Sequence, residues 1–286
     1  MRIRFVSPHP KDFPIELLKL ISERPNICNQ VHLPAQSGNT KVLERMRRGY
    51  SREAYLDLVN TIREIIPDVS LSTDIITGFC GETEEEHQDT LSLMKIVKFD
   101  MAYMFAYSMR EKTHAHRNYI DDVPRDVKIR RLNEIINSFH ENAKIRYSQF
   151  IGKPQLVLIE GYSKRDSQRL KGISDGGHKI HFDDSKVIDC IDVKNNIDLM
   201  MKHLENSSKR NRFNNSFDIS QKATNMKSGD YVLVIPISTT GCSFDAIPLA
   251  KMSIAQFNNG KFNEYNINIG DNLQVFIDKY KNVNKI

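Results

Sequence analysis

The stretch HLPAQSGNTKVLERMRRGY, residues 32–50, joins an apolar segment to a helical pattern through a turn of small polar residues. The apolar segment, ICNQVHL at 27–33, is typical of a buried strand. Asn39 is placed to cap the helix that follows, and the helical pattern continues through Arg48. The stretch therefore predicts a strand–turn–helix corner, which is half of a βαβ unit.

The same alternation of short apolar segments and helical patterns extends from residue 1 to about 148. Strands are predicted at 2–6, 27–33, 69–76 and 101–108, and helices after Pro14, Asn39, Ser51, Thr83 and Pro124. Thr83 and Glu86 form a T-x-x-E capping box. This order is typical of parallel βαβ units, which bind ligands at the C-terminal ends of their strands.

Three of these strand ends, PAQSG, STDIITGFCGET and YSMREKT, carry side chains suited to a ligand. Amide and hydroxyl groups can bond a carboxylate or ribose, glycine lets the backbone approach closely, and arginine can pair with a carboxylate or phosphate. The candidates are Gln36, Ser37, Gly38, Ser72, Asp74, Ser108 and Arg110. Each also has a structural interpretation as a loop or helix cap, a satisfied polar group on a buried strand, or a salt bridge.

Charged residues cluster at two further places in this half. Glutamates crowd the N-terminus of the helix after Gly81, which disfavours a phosphate there, and Glu82 is a candidate acceptor for a ligand amine or hydroxyl. Basic residues at 41–52 are interpreted as a solvated helix face that could also meet RNA. They are Lys41, Arg45, Arg47, Arg48 and Arg52.

After Gly152 the pattern changes to short segments rich in β-formers, which predicts a small antiparallel barrel. Residues 195–225 are rich in Asn, Ser and Lys and are predicted to form a flexible insertion. The Asn-rich tail from 256 fits either a strand or a helix. Basic side chains between two predicted strands suit contact with an RNA phosphate backbone. They are Lys164, Arg165, Arg169 and Lys171.

Composition leaves several function classes open. A net charge of +5, from 41 basic and 36 acidic residues, and a pI near 8.9 suit a nucleic-acid partner or an ordinary soluble protein. The sequence has no apolar run long enough to predict a membrane span. Four cysteines form no CxxC or CxxxCxxC set and no disulfide framework, which suits a reducing, intracellular compartment. They are Cys28, Cys80, Cys190 and Cys242.

Three ordered segments resemble the MiaB-type radical SAM tRNA methylthiotransferases, nearest to the eukaryotic branch of cyclin-dependent kinase five regulatory-subunit-associated proteins. The segments are HLPAQSGNTKVLERMRRGYSREAYLDLV, STDIITGFCGETEEEHQDTL and FAYSMREKT. The likeness covers residues 1 to about 170. The strand pattern from 154 to 250, with KSGDYVLV at 227–234, is similar to the family's TRAM domain, an OB-like RNA-binding barrel.

The resemblance implies an α/β fold in which 1–150 form the C-terminal part of a radical SAM barrel, a partial TIM-like barrel. A small all-β OB-like TRAM barrel would follow at 151–255, with the insertion disordered at about 195–225 and the tail at 256–286. Lys112 stands where the family more often has glycine, so the turn there is expected to differ.

The resemblance also implies an activity. Such enzymes are transferases that use S-adenosylmethionine and [4Fe–4S] clusters to add a methylthio group to C2 of N6-isopentenyladenosine at tRNA position 37, in the anticodon loop. The Tyr-Ser-x-Arg corner at 107–110 favours this base over threonylcarbamoyl-adenosine. By the resemblance, the seven strand-end candidates bind S-adenosylmethionine and the target base, and the four basic barrel residues bind RNA.

In the family, the thiolates of three cysteines in a CxxxCxxC loop hold such a cluster. This sequence contains no CxxxCxxC loop. The chain is therefore expected to be a C-terminal portion, inactive alone, whose possible partner is the missing N-terminal half. Its expected location is intracellular, either mitochondrial or cytosolic, with any targeting segment absent from this chain. The alternatives are a non-catalytic RNA-binding module that uses the barrel, and a protein-interaction fragment, for which the sequence offers no motif.

Overall fold

A computed structural model describes residues 1–5, 8–189 and 223–259 of the chain. It divides into two compact units, Arg2–Tyr147 and a second unit formed by Met1 and the residues from Ser148 onward. In the described part of the chain, no helix is both long and apolar enough to cross a membrane.

The first unit alternates strands and helices. After a 3₁₀ turn at Pro10–Asp12, the elements are α1 Ile15–Glu23, β1 Gln30–His32, α2 Thr40–Arg45, α3 Arg52–Ile65, β2 Ser70–Thr77, α4 Glu84–Val97, β3 Met101–Ala106, α5 His114–Asn118 and α6 Arg125–Ser148. The three strands form a parallel sheet in the order β1-β2-β3. The predicted α/β architecture with parallel strands is therefore confirmed.

Local hydrogen bonds explain where the helices begin. The Asn39 side chain accepts from the amides of Lys41 and Val42, and the Ser51 side chain accepts from Ala54. Thr83 and Glu86 make both bonds of the predicted capping box. All three predicted caps are confirmed.

Two predicted element lengths are wrong. In the described part of the predicted strand at 2–6, residues 2–5, the pairing is an isolated parallel bridge between Ile3 and Ile27. Helix α2 ends at Arg45 rather than at Arg48, because Arg47 takes a left-handed φ of 56° that turns the chain away from the helix axis.

The second unit is rich in β-strands and ends in a short helix. Its elements are β4 Gln155–Tyr162, β5 Arg169–Ile173, β6 Lys179–Asp183, β7 Val187–Asp189, β8 Ala223–Thr224, β9 Tyr231–Thr239, β10 Ser243–Lys251 and α7 Ile254–Asn259. The order β6-β5-β4-β9-β10, with β10 pairing back to β6, closes five strands into a barrel. The prediction of a wholly antiparallel barrel is wrong at this closure, because β10 runs parallel to β6 and β7.

Most of the predicted insertion at 195–225 and most of the Asn-rich tail at 256–286 lie outside the described residues. The described end of the insertion includes strand β8. The described start of the tail lies in helix α7.

Candidate functional site

The C-terminal ends of β1 and β2 are joined by Gln36, which extends the sheet beyond β1. The amide of Gln36 donates to the carbonyl of Asp74 at 2.8 Å, and the amide of Ile76 donates to the carbonyl of Gln36 at 2.9 Å. Gln36 has a φ of 65°, a left-handed conformation that costs a non-glycine residue free energy. Backbone strain of this kind is concentrated at functional sites, which supports Gln36 as a ligand-facing residue.

A cavity of about 270 Å³ opens beside Gln36 at these strand ends. Its apolar wall includes Phe79 and Tyr107, whose ring centroids lie 4.8 Å apart in an edge contact. Arg48 and Arg110 also line it. An aromatic wall with guanidinium groups around it suits a planar ligand that carries an anionic group. Of the predicted site residues, the cavity brings together Gln36 and Arg110.

Ser37 and Gly38 instead join α2 to α4. The Ser37 hydroxyl lies 3.3 Å from that of Thr90, and the Gly38 amide donates to the Thr90 hydroxyl at 2.9 Å. A Cβ on Gly38 would lie 2.5 Å from the Thr90 Cα and 2.6 Å from the Asp89 carbonyl oxygen. The close backbone approach that glycine permits here is therefore to a helix of the chain itself. Ser108 lies after β3 and is exposed.

Ser72 and Asp74 lie on one face of β2, where they meet His32 of β1. The Nδ1 atom of His32 is 2.9 Å from the Ser72 hydroxyl, and its Nε2 atom is 3.5 Å from a carboxylate oxygen of Asp74. The Tyr103 ring of β3 contacts His32 edge-on, with centroids 6.0 Å apart. His32 is not among the candidates predicted from the sequence, because the register that aligns it with Ser72 is a tertiary feature.

Glu82 already has partners within the chain. It is buried, and its carboxylate accepts from the Gly78 amide at 2.9 Å and from Arg131 at 3.0 Å. Burial raises the pKa of Glu82, although the Gly78 and Arg131 donors oppose that rise. The interpretation of Glu82 as an acceptor for a ligand is not supported, because it binds α6 through Arg131.

The solvated-face prediction is wrong for two of the basic residues at 41–52. Arg45 makes two bonds to the Glu86 carboxylate, at 3.0 and 2.6 Å. Arg52 donates to the carbonyls of Gly38 and Asp89, at 2.7 and 2.6 Å. Both arginines therefore tie their segments to α4, whereas Lys41 and Arg47 are exposed.

The turn after Arg110 contains a second residue in an unusual conformation. Lys112 has a φ of 64°, in the left-handed region that favours glycine. The backbone at Lys112 therefore has a conformation that glycine adopts readily, although the side chain is lysine.

The described cysteines do not form a cluster-binding set. Cys28 precedes β1 and Cys80 follows β2, so they lie at opposite ends of the parallel sheet. Burial raises the pKa of the Cys80 thiol, which disfavours the thiolate that a metal needs. Cys242 lies in the other unit, and Cys190 is outside the described residues. An iron–sulfur cluster does not fit the thiols that the structure describes.

One group of possible metal ligands comes together between α4 and α6. Ligand atoms of Glu84, His87 and Glu134 lie within 4.8 Å of one another. Arg130 donates to both carboxylates, and Arg131 donates to that of Glu84. Because these guanidinium groups already neutralise the carboxylates, the group is an ion-pair network that joins the two helices.

The four predicted RNA-binding residues of the barrel fall into two pairs. Lys164 and Arg165 are exposed in the loop between β4 and β5. Arg169 pairs with Asp245 at 2.9 Å, and Lys171 pairs with Glu160 at 3.5 Å. Carboxylates of the barrel therefore offset much of the charge of the second pair.

Residues 1–94 match the family model of the radical SAM superfamily, which confirms a radical SAM fold for that part of the chain. A CDK5RAP1-like protein of Oryza sativa subsp. japonica is 62% identical over 183 residues, which are 64% of this chain and 30% of the relative. The mitochondrial tRNA methylthiotransferase CDK5RAP1 of Homo sapiens is 59% identical over 189 residues, 66% of this chain and 31% of that protein.

A bacterial relative, the tRNA-2-methylthio-N(6)-dimethylallyladenosine synthase of Azobacteroides pseudotrichonymphae, is 52% identical over 172 residues, 60% of this chain and 38% of the relative. Among solved structures, coproporphyrinogen III oxidase (HemN) of Escherichia coli, a radical SAM enzyme, aligns with a TM-score of 0.41 and 17% identity over 58% of this chain and 43% of that one. The predicted resemblance to MiaB-type methylthiotransferases is confirmed, and the chain spans about a third of the length of these curated relatives.

Proposed function

We propose that this chain is a portion of a radical SAM tRNA methylthiotransferase. The parent activity adds a methylthio group to C2 of N6-isopentenyladenosine at tRNA position 37. The observation that carries this proposal is the sequence identity of 52–62% to three relatives. They are named as a mitochondrial tRNA methylthiotransferase, CDK5RAP1, as a CDK5RAP1-like protein, and as a tRNA-2-methylthio-N(6)-dimethylallyladenosine synthase. Dimethylallyl is another name for the isopentenyl group. The alternative of a non-catalytic RNA-binding module is not favoured, because these relatives include named enzymes.

Each unit has a part in this proposal. The unit of residues 2–147 supplies the C-terminal portion of the radical SAM barrel, and the five-stranded closed barrel supplies a TRAM domain that binds the tRNA anticodon loop. Lys164 and Arg165 are the stronger candidates for RNA phosphate contacts, because they are exposed and Arg169 and Lys171 face carboxylates. The human and rat relatives are named mitochondrial, so we assign the parent enzyme to mitochondria rather than to the cytosol.

S-adenosylmethionine fits the donors and acceptors at the strand ends. Its carboxylate matches the guanidinium groups beside Gln36, and its ribose hydroxyls or ammonium match the Asp74 carboxylate, whose side chain is 30% exposed. When bound in such enzymes, it supplies the carbon radical that begins the reaction. The residues of this chain would bind and orient it, and Ser37 and Gly38 would hold the Gln36 turn against α4.

The [4Fe–4S] cluster of the parent enzyme has no ligand set among the thiols that the structure describes in this chain. We predict that anaerobic incubation of the chain with iron and sulfide leaves less than stoichiometric iron and no stable [4Fe–4S] absorbance. A human CDK5RAP1 sample treated in parallel is the positive control. A stoichiometric cluster on this chain alone would show that the prediction is wrong and that the thiols of this chain suffice to hold a cluster.

A further inference from the structure

His32 occupies the centre of a polar group on the face of the parallel sheet. In the register of β1 and β2, His32 lies opposite Ser72, and Asp74 follows two residues later on the same face. Asp74 in turn lies opposite Tyr103 of β3. Three neighbouring strands therefore bring these side chains together, and the Gln36 amide holds the Asp74 carbonyl at 2.8 Å.

The hydrogen-bonding needs of the three groups determine one arrangement. Ser72 and His32 are buried, with 4% and 9% exposure, whereas the Asp74 side chain is 30% exposed. A neutral imidazole has one N–H donor and one acceptor nitrogen. A carboxylate only accepts, so the proton lies on Nε2, which faces Asp74 at 3.5 Å, and Nδ1 is left to accept from the Ser72 hydroxyl at 2.9 Å.

We propose that His32 is a positioning residue that uses its Nε2–H to orient the Asp74 carboxylate toward a ligand ribose. A carboxylate oxygen that is held on one side by an imidazole presents its remaining lone pairs to hydroxyl donors. Ser72 fixes the tautomer, and Asp74 contacts the ligand. This role deepens the proposed function and rests on it for the identity of the ligand. The ligand group is an adenosine-type ribose diol, which S-adenosylmethionine and the target nucleoside both carry.

The two conservative substitutions of His32 separate positioning from packing. In His32→Gln the side-chain amide can reach the place of Nε2 and donate to Asp74, whereas in His32→Asn the amide reaches only the place of Nδ1, beside Ser72. Affinity for S-adenosylhomocysteine and for N6-isopentenyladenosine would be measured by chemical-shift titration of the ¹⁵N-labelled full chain. The ligand that binds identifies the source of the ribose, and a 2′-deoxyadenosine titration tests the diol.

We expect His32→Asn and Asp74→Asn each to weaken binding about tenfold, the loss of one hydrogen bond to a charged group, and His32→Gln to stay within about twofold. The double variant His32→Asn with Asp74→Asn should be no weaker than either single variant, because both remove the same contact. Equal losses in the Gln and Asn variants, or additive losses in the double variant, would overturn the proposal. Thermal unfolding of each variant controls for packing.

The tautomer gives a readout that does not depend on any ligand. Imidazole ¹⁵N shifts of the wild-type chain should show His32 protonated on Nε2, and Asp74→Ala should weaken that preference. Protonation on Nδ1, or no response to Asp74→Ala, contradicts the positioning role. If the wild-type chain has this tautomer but binds neither nucleoside, the cofactor assignment in the proposed function fails and the His32–Asp74 contact stands without a ligand role.

Discussion

Replacing Arg131 with alanine is expected to lower the free energy of unfolding of the unit formed by residues 2–147 by about 3–5 kcal/mol. Arg131 and Glu82 are both buried, and the guanidinium donates to the Glu82 carboxylate at 3.0 Å and to its carbonyl at 2.9 Å. Removing the cation leaves a buried carboxylate without its charged partner. Denaturant unfolding at neutral pH measures the loss.

Arg130 provides the matched control for Arg131, one position earlier on the same helix. Its guanidinium is 46% exposed, and it pairs with Glu84 and Glu134. Exposed pairs of this kind contribute about 0–1 kcal/mol, so Arg130→Ala should cost little. Equal costs for the two alanine variants would contradict the assignment of a buried ion pair to Arg131 and Glu82.

The pH dependence of the Arg131→Ala variant follows from the direction of the Glu82 pKa. Burial raises the pKa of Glu82 in the folded chain, and loss of Arg131 removes donors that oppose the rise. A raised folded-state pKa means that the ionised group destabilises the fold at higher pH, and that protonation relieves the penalty. The loss in free energy of unfolding caused by Arg131→Ala should therefore be largest at neutral pH. It should shrink as the pH falls toward about 4.3, the ordinary pKa of glutamate.

Replacing Gly38 with alanine is expected to destabilise the same unit by about 2–3 kcal/mol through overpacking. The new Cβ would lie 2.5 Å from the Thr90 Cα and 2.6 Å from the Asp89 carbonyl oxygen. These are backbone atoms of α4, and Arg52 bonds the carbonyls of both Gly38 and Asp89. Relieving these close contacts therefore requires α2 and α4 to move apart.

Gly81→Asn is the control for the Gly38 substitution. Gly81 has a φ of 67°, and a Cβ there would meet nothing within 4 Å. Asparagine tolerates the left-handed region, so this change should cost less than about 1 kcal/mol. If Gly38→Ala unfolds at the same denaturant concentration as wild type but loses nucleoside affinity, Gly38 contacts the ligand and our packing interpretation is wrong.

Features that depend on near neighbours in the sequence were predictable. The caps at Asn39, Ser51 and Thr83 are side-chain bonds to amides two or three residues away, so the residue types alone indicate them. The parallel strands at 69–76 and 101–108 followed from alternation in the same way, with small errors at their ends.

Features that depend on distant partners were not predictable. Ser37 and Gly38 bind Thr90, more than fifty residues away, which no local pattern indicates. The Arg45–Glu86 pair and the parallel pairing of β10 with β6 also join residues that are distant in the sequence. His32 is not recognisable as a site residue from its sequence neighbours, because only strand register places it between Ser72 and Asp74.

The most direct test of the central claim joins this chain to a part of a relative that the match does not cover. The N-terminal segment of human CDK5RAP1 that precedes the matched region would be fused to residues 1–286, and both the fusion and this chain alone would be incubated with S-adenosylmethionine and tRNA containing N6-isopentenyladenosine. We predict that mass spectrometry of the digested tRNA finds the 2-methylthio nucleoside with the fusion and none with the chain alone. A folded, cluster-loaded fusion without product, or turnover by the chain alone, would contradict the claim that this chain is the C-terminal portion of a methylthiotransferase.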